Sequence, residues 1–250
     1  MINHYYSIVF LFLLLPSVSN SQKSYFDQGM EKYDNGEYAE AIKLLHKELR
    51  FGESDAVTYY NLALNYSMID SLELSNVYYD SAILKYPSFE QAYQQKGVNY
   101  LNMDSKSSLQ KSIDMFTMCI IINDSSVCNY NRGLVLFLIG EYPAVIRDLE
   151  YSLDNLSLSL SSKINCYHKL VRSYAAIKEF DKAKIYLDKL EQLEGEKSSQ
   201  EFIESSIWYE ANKEIINRGE IKKLFQKLEK SYSNYKNSST YIKYGYLIEK

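Results

Sequence analysis

The chain has only three prolines, nine glycines, one tryptophan and three cysteines in 250 residues. So few turn formers exclude a disordered Pro/Gly-rich chain and a β protein built on many tight turns. An odd, sparse set of cysteines excludes the dense disulfide framework of small secreted domains. The simplest expectation is that Cys119, Cys128 and Cys166 are buried as small apolar residues; a Cys119–Cys128 bridge is the alternative. Histidine is scarce as well, and His46 and His168 stand isolated from any other ligand type. There is no Gly-rich phosphate loop, no His-Glu-x-x-His and no paired-cysteine motif with metal spacing. No cofactor, no metal and no enzymatic activity are therefore expected. Strong charge is lacking too: the net charge is −4, so no basic field points to nucleic acid.

Long apolar runs are missing with one exception, "YSIVFLFLLLP" near the N-terminus, followed by "SVSNSQ". A membrane-spanning helix takes about 20 apolar residues, and this run is too short. Its pattern is that of a secretory signal over residues 1–21, with Ser19 and Ser21 as the small residues before a cut ahead of Gln22. The preceding "MINHYY" carries no Lys or Arg, and an uncleaved anchor is the alternative. The expected location is outside the cytoplasm, periplasmic or extracellular, with no stable membrane insertion once the signal is removed.

What the chain has in quantity is tyrosine, 25 residues of it, and the tyrosines are spaced. Tyr25, Tyr59 and Tyr93 lie 34 residues apart, and Gly29, Ala63 and Gly97 keep the same interval, as do Ala41 and Ser75. A fixed period in this range marks a stacked-repeat architecture. Within each period, apolar residues recur at helical spacing in two segments joined by a short polar turn such as "DNGEY" or "IGEY".

On these residues the sequence resembles the tetratricopeptide repeat family, whose unit is a helix pair with an aromatic, a small residue and a tyrosine in its first helix and Ala-x3-Phe in its second. Residues 22–197 divide into five such units. The first carries Tyr25, Gly29, Tyr38, Ala41 and Leu45, and the second Tyr59, Leu62, Ala63, Tyr66, Ser75, Tyr79, Ala82 and Pro87. The third carries Tyr93, Gly97, Tyr100, Ser112, Phe116 and Cys119, the fourth Gly133, Val145 and Leu149, and the fifth Tyr167, Leu170, Tyr174, Ala183 and Leu187. Residues 198–250 read as a degenerate sixth unit, with Trp208 in the first aromatic position, and a C-terminal capping helix containing Tyr241, Tyr244, Gly245 and Ile248. The resemblance implies an all-α fold, a right-handed α-solenoid of stacked antiparallel helix pairs. The small residues then let paired helices approach closely, and Tyr25, Tyr59 and Tyr93 are expected to fill the gap against the neighbouring helices.

The resemblance also implies a concave groove lined by the first helices, where ligands commonly lie. The residues one and five after the first aromatic should face it: Phe26 and Met30, Tyr60 and Leu64, Gln94 and Val98, Tyr130 and Leu134, and His168 with Arg172. Relatives that clamp a C-terminal carboxylate place Lys, Asn and Arg at such positions. Here aromatics and aliphatics dominate and only Asn61 matches, so that function is not carried over. The expected function is a non-enzymatic scaffold or adaptor that binds a protein or peptide segment in its groove. The alternative is an extracytoplasmic sensory module acting through a membrane signalling partner, since the chain has no second apolar span of its own.

Overall fold

The computed structural model describes residues 23–52, 55–103, 105–194, 200–213, 216–232, 236 and 238–245. The expected signal segment and Ile248 lie outside these. Every element among the described residues is helical. They are α1 (Tyr25–Asp34), α2 (Tyr38–Phe51), α3 (Ala56–Met68), α4 (Leu72–Lys85), α5 (Glu90–Asn102), α6 (Lys106–Asn123), α7 (Ser126–Ile139), α8 (Tyr142–Asn155), α9 (Leu160–Ala176), α10 (Phe180–Glu194), α11 (Gln200–Asn212), α12 (Arg218–Ser231) and α13 (Ser239–Tyr244). Odd and even helices pair, and each pair packs on the next, so the stack grows along one direction. None of the described helices is long and apolar enough to cross a membrane.

Helix starts follow from capping. The side chains of Ser24, Asp55, Ser105, Ser159 and Asn217 each accept a backbone N–H from the first turn of α1, α3, α6, α9 and α12, which satisfies a donor the helix itself leaves open. The turn inside a pair is also repeated. Gly36, Asp70, Gly140 and Lys178 sit at positive φ, and the next residue's N–H bonds back to a carbonyl five residues earlier, as in Glu37 to Lys32 and Glu141 to Leu136. This is the left-handed helix end that reverses the chain.

The small residues mark where paired helices touch. A Cβ added at Gly97 would stand 2.7 Å from the Phe116 ring, and one at Gly133 would stand 2.7 Å from Leu149. Ser75 and Ser112 donate to the Ala63 and Gly97 carbonyls at 2.8 and 2.7 Å, a distance only bare, closely apposed backbones allow. The expectation about the tyrosines holds for Tyr59 and Tyr93, which pack against core clusters reaching into the following unit at Ala92 and at Cys128 and Val135, and is corrected for Tyr25, whose ring meets Phe51 of its own helix pair. Tyr25, Tyr59 and Tyr93 are half-buried, whereas the fully buried large rings are Tyr79, Phe116 and Phe225 on the second helices. In the second and third units the second helix's aromatic is fully buried and the first helix's leading aromatic keeps part of its surface open.

The cysteine expectation is corrected as well. Cys119 and Cys128 are bonded, closing a short loop from the end of α6 into α7, while Cys166 is a free, buried thiol whose pKa burial pushes up to about 12.

Two helix charges are held inside the stack. Asp148 on α8 has no exposed surface and takes both ends of the Arg132 guanidinium on α7, Nε at 2.6 Å and Nη2 at 2.9 Å, with Arg147 Nε at 3.1 Å. Lys96 on α5 is buried and donates to Asp80 on α4.

Candidate functional site

The curvature of the stack locates the inner face. First helices meet the first helices of the following pair, α1 on α3, α3 on α5 and α5 on α7, and among the described residues no two successive second helices come as close. The odd-numbered helices are therefore on the inside of the bend and the even-numbered ones outside.

The expected groove residues divide into two groups. Phe26, Met30, Tyr60, Leu64, Gln94, Val98, Tyr130 and Leu134 are all half-buried. Most are anchored by the core below them: Phe26 against Ile42, Leu45 and Leu62, Tyr60 and Leu64 against Ala63, Tyr79, Ala82 and Ala92, Val98 against the Phe116 cluster. Tyr130 and Leu134 pack against the cluster of Leu136, Val145 and Leu149, and the Tyr130 hydroxyl accepts from Asn165 at 3.3 Å. The Tyr60 ring is clamped between Tyr79 (5.8 Å) and Phe89 (4.9 Å). Burial raises its pKa, and the Tyr33 hydroxyl on α1 adds a smaller push, so Tyr33 and Tyr60 are neighbours across successive units. None of the eight is an acidic or basic residue of the Asp, Glu, Lys, Arg or His type. The amide of Asn61 is occupied within its own helix, donating to the Val57 carbonyl at 2.9 Å.

His168 and Arg172 depart from the expectation. They are 8% and 7% exposed, because α11 leans across onto α9 more than onto α10. The His168 Nδ1 bonds to Ser205 of α11. The Arg172 guanidinium lies 4.1 Å from the Trp208 ring centre and 5.3 Å from Phe137. Burial lowers the Arg172 pKa, and Glu204 opposes this. Lys243, next to α13's end, lies 3.9 Å from the same indole, its pKa lowered by burial and by Arg172.

Sequence reasoning missed this basic, aromatic closure of the inner face, in which Lys169 also caps Phe137 at 5.3 Å. Only the i, i+4 spacing of His168 and Arg172 and the single tryptophan hinted at it. Thr240 and Tyr244 of α13 complete it, through Trp208 Nε1–H to Thr240 at 3.1 Å and an edge-on Tyr244 ring at 5.2 Å.

The eight half-buried side chains lie on α1, α3, α5 and α7 and are of uncharged residue types, and α11 with α13 covers the corresponding positions on α9. The eight supply no nucleophile–base pair. What they offer is contact area.

Stacked antiparallel helix pairs bent in this way define a right-handed α-solenoid of the tetratricopeptide type. Solved structures agree. A tetratricopeptide repeat protein from Parabacteroides merdae is similar with a TM-score of 0.63 at 13% identity, over 82% of this chain and 78% of that one. PilF of Pseudomonas aeruginosa is similar with a TM-score of 0.62 at 17% identity, over 90% and 96%. MamA is similar with a TM-score of 0.59 at 21% identity, over 70% and 95%. At such identities the likeness establishes the fold alone. No protein-family model matches the sequence, and no curated protein matches it.

Proposed function

We propose that the protein is a non-enzymatic scaffold which holds an apolar peptide segment of a partner protein along its inner face, outside the cytoplasm. The observation that carries this reading is the recurrence of half-exposed apolar or neutral side chains at the same two offsets in four successive units. A packing role alone calls for burial at these positions, and each keeps part of its surface open. Aromatic and Met side chains give large, adaptable contact area. The Tyr60 ring, already braced by Tyr79 and Phe89, loses little freedom on binding, which lowers the cost of association.

Titration of a partner captured from an envelope fraction tests the reading. The Tyr60→Ala and Leu64→Ala changes are each expected to weaken binding by about 1 kcal/mol or more. Lys43→Ala and Glu73→Ala, exposed on α2 and α4, should leave it unchanged. Equal binding by the Tyr60/Leu64 double variant contradicts the groove. Because the eight side chains are of uncharged types, affinity should fall only weakly with added salt.

Export rests on the apolar run before Ser19 and Ser21, and the Cys119–Cys128 bond supports it, since such bonds persist in oxidising compartments. N-terminal sequencing of the protein from its native cells should begin at or near Gln22. An intact Met1 on soluble cytoplasmic protein contradicts export.

A further inference from the structure

We propose that Glu90, Cys119 and Cys128 form a redox-gated site for a soft divalent cation of the zinc class. The three residues come from three helices, the start of α5, the end of α6 and the start of α7. Their ligand atoms all lie within 4.8 Å of one another. Glu90 Oε1 stands 3.7 Å from the Cys119 sulfur. The other carboxylate oxygen, Oε2, accepts from Asn123 Nδ2 at 2.7 Å, so one oxygen is held by the protein and the other is left beside the sulfurs. An outer partner of this kind is what orients a metal-binding carboxylate.

Access to the carboxylate is through a surface cleft. Both cysteines are fully buried, but Glu90 and Asn123 line a surface cleft of about 360 Å³ with Tyr86, Ser88, Gln91 and Ile122. A cation reaching Glu90 through the cleft meets the sulfurs directly behind it, and water in the cleft supplies a fourth ligand. The helix geometry suits both states. The Cα atoms of Cys119 and Cys128 are 6.2 Å apart. Tetrahedral zinc, with sulfur at about 2.3 Å, sets two thiolates about 3.8 Å apart, which side-chain rotation from these positions can reach.

A plain structural bridge has no need of a carboxylate against its sulfur. Two thiolates and a carboxylate within this radius, however, repel strongly at low dielectric. Protonation of the thiols, oxidation and cation binding each relieve that repulsion. Oxidation joins the sulfurs and removes both thiolate charges, with two electrons passing to a disulfide oxidant. Reduction by a dithiol, or by a phosphine and water that leave as the phosphine oxide, returns two electrons and two protons and breaks the S–S bond. The cation then displaces both thiol protons, and its two positive charges offset two of the three ligand charges, leaving the site with a net charge of about −1. The bond ties α6 to α7, whereas the cation ties both to α5. Cys166 takes no part: it lies in a separate apolar cluster on α9.

Cobalt(II) is the probe. The phosphine-reduced protein, kept free of oxygen, is expected to bind one Co²⁺ per chain with the near-ultraviolet sulfur-to-cobalt bands of thiolate ligation, and Zn²⁺ should displace it. The oxidised protein should show no such bands. Glu90→Gln should weaken the reduced site by about tenfold or more while the oxidised protein keeps its helical circular dichroism, and Cys166→Ser should change nothing. Reduced protein that remains helical yet gives no thiolate bands overturns the proposal, as does Glu90→Gln binding Co²⁺ as tightly as the parent.

Discussion

Replacing Phe116 with alanine is expected to destabilise the protein by about 3–5 kcal/mol, the range for removing a fully buried aromatic. The ring has no exposed surface. It lies against the bare backbone of Gly97 and in a cluster with Cys119, Cys128 and Val135, flanked by Tyr93, Val98 and Leu101. The Cys119–Cys128 bond fixes the walls of this cluster, so the space left by the ring cannot close easily, which places the cost toward the upper part of that range. The reverse error should also be felt. Gly97→Leu drives a side chain into the same ring, since its Cβ alone would come within 2.7 Å, and overpacking of this kind costs about 1–3 kcal/mol or more. The two sites share one volume, so the Gly97→Leu/Phe116→Ala double variant should lose less than the sum of the singles. Urea denaturation followed by circular dichroism measures all three. A Phe116→Ala midpoint equal to that of the parent contradicts this account of how third-unit helices pack.

Asp148→Ala is expected to cost about 3–5 kcal/mol, for an electrostatic reason. The carboxylate is fully buried and meets the Arg132 guanidinium at both oxygens. Arg132 has a side chain only 13% exposed, and its remaining polar contact is Nη1 to Thr117 at 3.1 Å. Without Asp148 a nearly buried cation is left facing no counter-charge. The repeat itself suggests the compensating change. Arg132 occupies the place that Leu62 holds in the second unit and Leu170 in the fifth, both fully buried. Removing both charges, as Arg132→Leu with Asp148→Leu, should therefore recover most of the loss, because an apolar pair can replace a buried ion pair at little cost. If the double variant is as unstable as Asp148→Ala, packing and not charge governs the site.

The repeat was readable in the sequence because its spacing is set by physics local to each unit. A small residue must stand where two helices touch, so Gly29, Ala63 and Gly97 recur at one interval, and the helix pairs follow from it. The half-buried state of Tyr60 and Leu64 fits an offset read within one helix, and what they meet on their open side is the proposal above. What could not be read depends on partners from other units. Arg132 and Asp148 look in the sequence like two solvated helix charges, and only the stack shows that they meet in the interior. Cys119 and Cys128 are separated by nine residues across a helix end and a turn, and no periodicity says that this turn brings the sulfurs together. His168 and Arg172 follow the groove pattern, but the pattern assumes that the next unit repeats the last. The sixth unit does not, and Trp208 of α11 rests on Arg172 where earlier units leave the equivalent side chains half open.

Binding along the inner face is the central claim, and site-specific cross-linking tests it most directly. A photo-reactive side chain placed at Met30 or Gln94 keeps the fold's core intact, since neither residue belongs to a buried cluster, and both are half-exposed on α1 and α5. The same group at Glu73 or Asp114 sits on the exposed outer surface of α4 or α6. Irradiation in the native cells should yield one shared adduct from Met30 and Gln94 and none from Glu73 and Asp114. The same partner captured at Glu73 and Asp114, with nothing at Met30 and Gln94, would contradict the account.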